Sequence, residues 1–306
     1  LDGLPLAIEL AAAGIKLFSP QELLKRLEHR LALLSPMDNG MPQPVKGLEQ
    51  AISWSYDLLS PAERRLMERL AVFVGGFSLP AAEAVCAFPF RDSATPTGQT
   101  VAFPKDFVAE GLAALLNHSL LQRQELSGMA AGGARFQMLA TVREFALTRL
   151  EANDELAVMA QRHCQYFVDW AARAETYLYG PDQAAWLTNM SYNIENLRAA
   201  LSWSLRAGQA EMAAGLACAA GIYWRRRGHF SEGRSRFEWV LTYLTPGCVP
   251  NALRAKLLQI GGSLAYRQGD WQTAQQWLDE GLALFRTCHD QTGIARVLFD
   301  QGWMAL

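Results

Sequence analysis

The sequence lacks the cysteine and histidine patterns of a disulfide framework or a metal site. Its 306 residues contain five cysteines, an odd number, and no two of them form a C-x-x-C pair. Free thiols are typical of a reducing compartment, so we expect a cytoplasmic protein. The five histidines have no partner at a metal-ligand spacing, and no Ser or Cys lies in a G-x-S-x-G context. Metal and hydrolase chemistry therefore find no support.

Long hydrophobic runs and an excess of one charge are also missing. The longest apolar stretch, residues 213–224, is about a dozen residues, whereas a membrane-spanning helix needs about 20. The formal net charge is −2 and 19% of the residues are charged, as in ordinary globular proteins. We therefore predict neither a membrane span nor a polybasic surface for nucleic acid. The length allows two or three domains.

Catalytic motifs are missing as well. The sequence has no G-x-x-x-x-G-K-[ST] loop to hold phosphates. Its acidic residues are scattered, and we expect Glu63, Glu68 and Glu83 to lie on exposed helix faces rather than to act as an acid/base pair. No catalytic residue is predicted, and we expect that the chain is not an enzyme by itself.

Helix signals are strong in the first half of the chain. A Ser-Pro-x-Glu pattern at residues 19–22 and again at 60–63 places a capping Ser, a first-turn Pro and a Glu at the third helical position. The second helix should end at Gly75-Gly76, and Ser78 with Pro80 should begin another that ends near Ala87.

A helix, a hairpin and a closing helix follow. Residues 88–104 are rich in Pro, Gly, Ser and Thr and predict a loop, and residues 106–118 have apolar residues at helical spacing. The segments SLLQRQE and RFQML predict two short strands joined by SGMAAGGA, and TVREFALTRL predicts a helix. Together these elements have the outline of a winged helix between about residues 46 and 152.

From residue 151 onward the pattern is helical and repetitive. Gly228-His229-Phe230 and Gly269-Asp270-Trp271 mark equivalent turns 41 residues apart, and a glycine precedes each turn by seven residues. This series of glycines continues at Gly302. After each turn a small residue and then a large one recur: Gly233 and Phe237, then Ala274 and Leu278. We expect the small residues to allow close helix crossing and the aromatic after each turn to fill the gap between the helices.

Three arginines and several aromatic residues accompany these repeats. Arg225, Arg226 and Arg227 precede Gly228, which favours interaction with the end of a helix over an anion site. The aromatic residues should mostly pack between repeats, although one or two could line a binding surface. They are Tyr223, Trp224, Phe230, Trp239, Trp271, Trp277 and Trp303.

The 41-residue pattern resembles the longer tetratricopeptide repeats, and GLEQAISWSYDLLSPAERRLMERLAVFVGGFSLPAAEAV resembles the winged helix of bacterial STAND-class (NB-ARC-like) signalling ATPases. The opening GLPLA, the segment FQMLATVREFALTRL and the segment MSYNIENLRAALSWSL are similar to further parts of that class. The resemblance implies a mainly α fold: residues 1–45 end the helical subdomain that follows the nucleotide-binding core, 46–152 form a winged helix with a small β-hairpin, and 153–306 begin a solenoid of tetratricopeptide-like helical hairpins. We expect the chain to be part of a longer protein.

The resemblance also implies a function and one candidate cofactor contact. The chain would be the regulatory and sensor portion of an ATP/ADP-switched signalling protein, which is expected to regulate transcription. Pro5 would pack on the adenine of ADP or ATP, with Mg²⁺, in the intact protein; alternatively it is an ordinary first-turn proline. The family's Met-His-Asp triplet corresponds to Met138, Leu139 and Ala140, so its phosphate-sensing histidine is missing. Thr141 or Arg143 could replace that contact, but we interpret them as a helix cap and a solvated charge.

The expected partner is a protein or small-molecule inducer on the repeats, with self-oligomerisation on activation. The predicted third helix of the winged helix carries Asp106, Glu110 and Asn117, and Lys105 only at its edge. Phosphates would repel such a face, so we predict no direct binding of nucleic acid by this winged helix. The alternative function is a repeat adaptor that joins two proteins without a nucleotide.

Overall fold

The computed structural model describes residues 52–53, 55–91, 100–101, 103, 107–124 and 134–305. The predicted helical subdomain of residues 1–45, the helix start at 19–22 and Pro5 lie outside these residues. The described chain divides into two compact units, one up to Met159 and one from Ala160. The predicted domain boundaries at 45/46 and 152/153 stay predictions.

Four helices and five short strands lie wholly within the described residues of the first unit. They are α1 Pro61–Leu70, β1 Gly76–Ser78, α2 Leu79–Cys86, β2 Phe90–Arg91, β3 Thr100–Val101, α3 Phe107–Asn117, β4 Gln122–Gln124, β5 Arg135–Gln137 and α4 Ala140–Ala152. The predicted hairpin is confirmed, because β4 pairs with β5 in antiparallel register. The predicted helix start at Ser60 is also confirmed: the Glu63 amide donates to Ser60 Oγ at 3.4 Å and the Ser60 amide to Glu63 Oε2 at 2.7 Å.

Two strand pairings were not foreseen in the sequence. Gly76, predicted to stop a helix, begins β1, which pairs with β5 and gives a sheet of order β1-β5-β4. Phe77 on β1 is buried and stacks on Phe73 with ring centroids 4.8 Å apart. The prediction of a loop at 88–104 was wrong in part, because β2 and β3 pair within it. Two-residue strands are too short to leave a periodic pattern in a sequence.

The second unit is an array of helices. They are α5 Leu156–Tyr177, which begins in the first unit, α6 Gln183–Arg206, α7 Ala210–Arg227, α8 Phe230–Tyr243, α9 Asn251–Arg267, α10 Trp271–Thr287 and α11 Gln291–Met304. Helices α7 and α8 form one hairpin, α9 and α10 the next, and α9 packs against α7, α8 and α11. The fold class is as predicted: mainly α, with a winged helix followed by a solenoid of tetratricopeptide-like hairpins. None of the helices in the described part of the chain has the length and apolarity that a membrane crossing requires.

Most repeat positions have the predicted role. A Cβ on Gly221 would lie 2.6 Å from the Phe237 ring, and one on Gly262 would lie 2.8 Å from Leu278 Cγ, so both glycines allow close crossing. Gly302 does not, because nothing within the described chain lies within 4 Å of its Cβ position. The prediction that the aromatic residue after each turn fills the gap between the helices was wrong for Trp271. This side chain is 53% exposed and makes an edge contact with Tyr266.

Candidate functional site

A buried arginine joins three elements of the first unit. Arg69, near the end of α1, is fully buried, and its Nε and Nη2 donate to the Glu155 carboxylate at 2.8 and 3.0 Å. Its Nη1 donates to the carbonyl oxygens of Cys86 at 2.9 Å and Phe88 at 2.6 Å, and its guanidinium lies over the Phe88 ring. We call Arg69, Cys86, Phe88 and Glu155 the Arg69 cluster. It connects α1 and the end of α2 to the residue that immediately precedes α5.

Beside this cluster, Glu68 is buried rather than exposed, which corrects the sequence prediction. Its carboxylate accepts hydrogen bonds from the Tyr56 hydroxyl, from Arg65 Nη1 at 3.1 Å and from Asn153 Nδ2 at 2.9 Å. Burial raises the pKa of Glu68, and these donors offset only part of that increase. Burial, together with the hydrogen bond to Glu68, also raises the pKa of Tyr56. Glu83 is exposed, as predicted.

The raised pKa of Glu68 predicts a pH dependence of stability. The folded state binds the proton of the Glu68 carboxyl more tightly than the unfolded state does. Protonated Glu68 therefore stabilises the fold at low pH, and this stabilisation is lost as the pH rises above 4.5, the ordinary pKa, and through the pKa of the folded state. Each unit by which the pKa is raised corresponds to about 1.4 kcal/mol. Urea unfolding of Glu68→Gln between pH 4.5 and neutrality should therefore show a weaker decline than the wild type. Glu83→Gln is the control and should keep the wild-type slope; equal slopes for both variants would contradict the prediction.

At the start of α4, Thr141 and Arg143 do not have the roles of helix cap and solvated charge that the sequence suggested. Met138 and Leu139 are buried, and Leu139 is the N-cap residue without a side-chain cap. Thr141 is therefore not the cap: it lies inside the helix, and its buried Oγ1 has no hydrogen-bond partner among the described residues. Arg143 is not a solvated charge, since its Nε donates to the Phe73 carbonyl at 2.8 Å and burial lowers its pKa. A phosphate contact by either residue stays a hypothesis.

The exposed side of α3 carries little positive charge. Ala109, Glu110, Ala113 and Asn117 are exposed on this helix, while Val108 and Leu112 face the core. On the adjacent wing, Arg123 is exposed. In the sequence, residues 125–133, ELSGMAAGG, contain one acidic residue and no basic one. This part of the chain therefore offers few cations for the phosphates of a DNA duplex.

Ion pairs and a hydrogen bond connect neighbouring helices of the repeat array, some of which are not consecutive in the sequence. Arg198 on α6 binds Glu232 on α8, and Arg254 on α9 binds Glu280 on α10 at 2.8 Å. Asp300 on α11 accepts a hydrogen bond from the Gln259 amide, and burial raises the pKa of this carboxyl.

The arginines before Gly228 lie where the sequence predicted, whereas the tryptophans of the repeats differ in their burial. Gly228 has a φ of 79° and ends α7, and the three arginines lie in its last turn, as expected. Trp224 is fully buried, whereas Trp303 is 53% exposed.

Sequence reasoning missed Arg69 as a central residue. The available signal was positional: on a helix, residue 69 shares a face with residues 66 and 73, which are both apolar, so a charge there has to find a partner. The partner itself, Glu155, is 86 residues away and could not be identified from spacing.

Comparisons with known proteins agree with this description. A family model described as a winged helix-turn-helix domain matches residues 97–151. Proteins named "Putative HTH-type transcriptional regulator" from Mycobacterium bovis and Mycobacterium tuberculosis are 35% identical over 241 residues, which is 79% of this chain and 25% of each relative. An uncharacterized Mycobacterium tuberculosis protein is 35% identical over 163 residues, or 53% of this chain and 38% of that protein.

The fold was also compared with a solved structure from Pyrococcus horikoshii, a signal transduction ATPase with numerous domains and a tetratricopeptide repeat sensor. The match covers 99% of this chain and 44% of the Pyrococcus chain. Its TM-score of 0.37 and 15% identity are too low to support an inference. The chain spans about a quarter of the length of the mycobacterial regulators that it matches. It thus contains a winged helix-turn-helix domain and is similar, over 79% of its length, to proteins named as transcriptional regulators.

Proposed function

We propose that this chain is the regulatory and sensor portion of an ATP/ADP-switched transcriptional regulator. The repeats bind a protein or small-molecule inducer, and the winged helix transmits that event to a nucleotide-binding core elsewhere in the intact protein. Inducer binding favours the ATP-bound form over the ADP-bound form, as in any ligand-biased equilibrium, and that form self-associates. In this proposal the chain itself catalyses no reaction, and Mg²⁺ accompanies the nucleotide in the intact protein.

The observation that carries the proposal is the extent of the similarity to the mycobacterial regulators. Its 241 residues exceed the length of either compact unit, so the match has to include residues of both. The matched part of those proteins, which are named as regulators, therefore corresponds to residues of both units of this chain. A general adaptor would need only the repeats, which is why we rank it second.

The Arg69 cluster supports the coupling role of the winged helix. Glu155 directly precedes α5, the first helix of the array, and Arg69 connects it to α1 and α2. A displacement of the start of α5 would have to break these hydrogen bonds or move α1 with it. Energetic coupling between sites is carried by packed side chains and hydrogen-bond networks of this kind.

ADP retention in the intact protein tests the nucleotide part of the proposal. We expect the purified protein to carry ADP, and Pro5→Ala to release it at least several-fold faster, because Pro5 is the residue proposed to pack on the adenine. The measurement is the release of labelled ADP over time. Pro20→Ala, at another predicted helix start, is the control and should leave release unchanged. Equal release from wild type and Pro5→Ala would remove Pro5 from the site, and absence of any bound nucleotide would favour the adaptor.

Direct DNA binding by this winged helix is the rival that the mycobacterial names raise. The exposed Glu110 and the lack of a basic residue in the sequence of residues 125–133 argue against it. We propose instead that DNA is bound by another part of the intact regulator. Sequence-specific binding by the 306-residue chain alone, with the steep salt dependence of phosphate contacts, would reverse this conclusion.

A further inference from the structure

The turn between α4 and α5 is held by two neighbouring residues of α1. Asn153, the C-cap residue of α4, donates from Nδ2 to the Glu68 carboxylate at 2.9 Å. Glu155, which directly precedes α5, accepts from Nε and Nη2 of Arg69 at 2.8 and 3.0 Å. Between them, Asp154 is exposed and has a φ of 57°, which few residues other than glycine adopt readily. We call these three turn residues the junction.

The backbone of the junction has the hydrogen-bond pattern of a Schellman motif, which commonly ends a helix at a glycine. The Asp154 amide donates to the Glu151 carbonyl oxygen at 3.0 Å, and the Glu155 amide donates to the Leu150 carbonyl oxygen at 3.2 Å. Asp154 therefore occupies the left-handed position that favours glycine. Because this conformation costs free energy for a residue with a Cβ, other contacts have to hold the turn in place.

A second motif of the same kind, at the end of α3, is held by a different contact. Ser119 also has a φ of 57°, and the amides of Ser119 and Leu120 each donate to a carbonyl oxygen of α3 at 3.0 Å. Leu120 is buried, which provides the apolar contact that frequently accompanies this motif. The residue at the equivalent position of the junction is Glu155, and its contact is the ion pair with Arg69.

The polar contact of the junction is released at lower cost than the apolar one. When Glu155 separates from Arg69, water hydrates its carboxylate, which is already 18% exposed in the folded state. Arg69 keeps its hydrogen bonds to the Cys86 and Phe88 carbonyl oxygens, so its guanidinium retains acceptors. Exposing Leu120 would instead transfer an apolar side chain into water without compensation. The junction is therefore the weaker of the two motifs.

We propose that the junction is a releasable latch. Asn153 and Glu155 separate from α1, the backbone of Asp154 leaves the left-handed region, and the start of α5 opens while α1 stays folded. Such a local opening costs less free energy than unfolding of the whole unit. This inference rests on the coupling role proposed for the winged helix, and it identifies the residues at which that coupling is interrupted.

Hydrogen exchange of the 306-residue chain at low urea concentrations tests the latch. Peptides of residues 153–160 report the junction, where the amides of Glu155 and Met159 are hydrogen-bonded, and peptides of residues 62–71 report α1. A local opening exposes little surface, so exchange at 153–160 should change little with urea, whereas exchange in α1 should increase steeply. We also expect exchange at 153–160 to be at least about tenfold faster than in α1.

Two matched valine variants separate local opening from unfolding of the unit. Asp154→Val places a β-branched residue in the left-handed region, and the opening releases that strain, so exchange at 153–160 should become at least about fivefold faster. Ser119→Val introduces comparable strain outside the junction. It should accelerate exchange in α1, which requires unfolding, and leave 153–160 unchanged. Asp154→Asn should exchange as the wild type does, because asparagine also adopts this conformation.

Glu155→Gln tests the side-chain contact and should accelerate exchange at 153–160, because a neutral amide binds the Arg69 guanidinium less strongly than a carboxylate does. The latch is overturned if exchange at the junction rises with urea as steeply as in α1, or if Ser119→Val accelerates both segments equally. It is also overturned if neither Asp154→Val nor Glu155→Gln changes exchange at 153–160. These measurements need neither nucleotide nor inducer, so the latch and the nucleotide switch can fail separately.

Discussion

Arg69→Ala should lower the free energy of unfolding of the winged helix by about 3–5 kcal/mol, the range for breaking a buried ion pair from one side. The substitution removes two donors from the Glu155 carboxylate and one donor from each of the Cys86 and Phe88 carbonyl oxygens. It also opens a cavity, because Arg69 is among the largest fully buried side chains. Urea unfolding followed by circular dichroism measures the change.

Two further variants separate the charge of Arg69 from its geometry. Arg69→Lys keeps a positive charge but cannot donate to the carboxylate and the carbonyl oxygens at once, so we expect it to recover less than half of the loss. Arg123→Ala removes an exposed arginine of the wing and should change stability by less than about 0.5 kcal/mol. A loss for Arg69→Ala no larger than that of Arg123→Ala would show that the cluster does not hold the unit together.

If the intact protein is nucleotide-switched as we propose, Arg69→Ala should also weaken the effect of the inducer on nucleotide release. The variant frees the residue before α5 from α1 and α2, so a displacement of α5 no longer has to move the winged helix. A variant that remains folded but responds to inducer as the wild type does would contradict the coupling role of the cluster.

Gly221→Ala and Gly215→Ala should have opposite effects although both lie on α7. A Cβ on Gly221 would lie 2.6 Å from the Phe237 ring and from Ile260 Cγ2, so both neighbours have to move. Overpacking of this kind typically costs about 1–3 kcal/mol, and the better helix propensity of alanine offsets about 0.5–1 kcal/mol of it. We expect a net loss of about 1–2 kcal/mol in the free energy of unfolding of the repeats.

Gly215→Ala should instead raise stability by about 0.5–1 kcal/mol, because no atom of the described residues lies within 4 Å of its Cβ position and only the helix propensity changes. Thermal unfolding of both variants beside the wild type measures the difference. If both variants raised the unfolding temperature by the same amount, α7 and α8 would not cross as closely as the structure shows.

The sequence determined the elements whose signals are local. The capping box at Ser60 and Glu63 fixed the start of α1, and the strand segments at 122–124 and 135–137 were visible because Gly- and Ala-rich residues separate them. The 41-residue spacing located the turns at Gly228 and Gly269, whose φ angles of 79° and 80° only glycine adopts easily. Such signals depend on a few neighbouring residues, so no knowledge of the fold was needed to identify them.

The tertiary structure decided where polar side chains lie. Glu68 and Arg143 were expected in solvent, but Glu68 is buried and Arg143 is half-buried, because their partners come from elements that are distant in the sequence. Trp271 and Gly302 repeat the spacing of buried positions, yet Trp271 is 53% exposed and no atom of the described chain lies within 4 Å of the Cβ position of Gly302. The Arg69 cluster and the contact of Glu175 with Lys256 join residues 86 and 81 positions apart. Periodicity can predict that a helix has an inner face, but only the packing of distant elements decides which charges that face must satisfy.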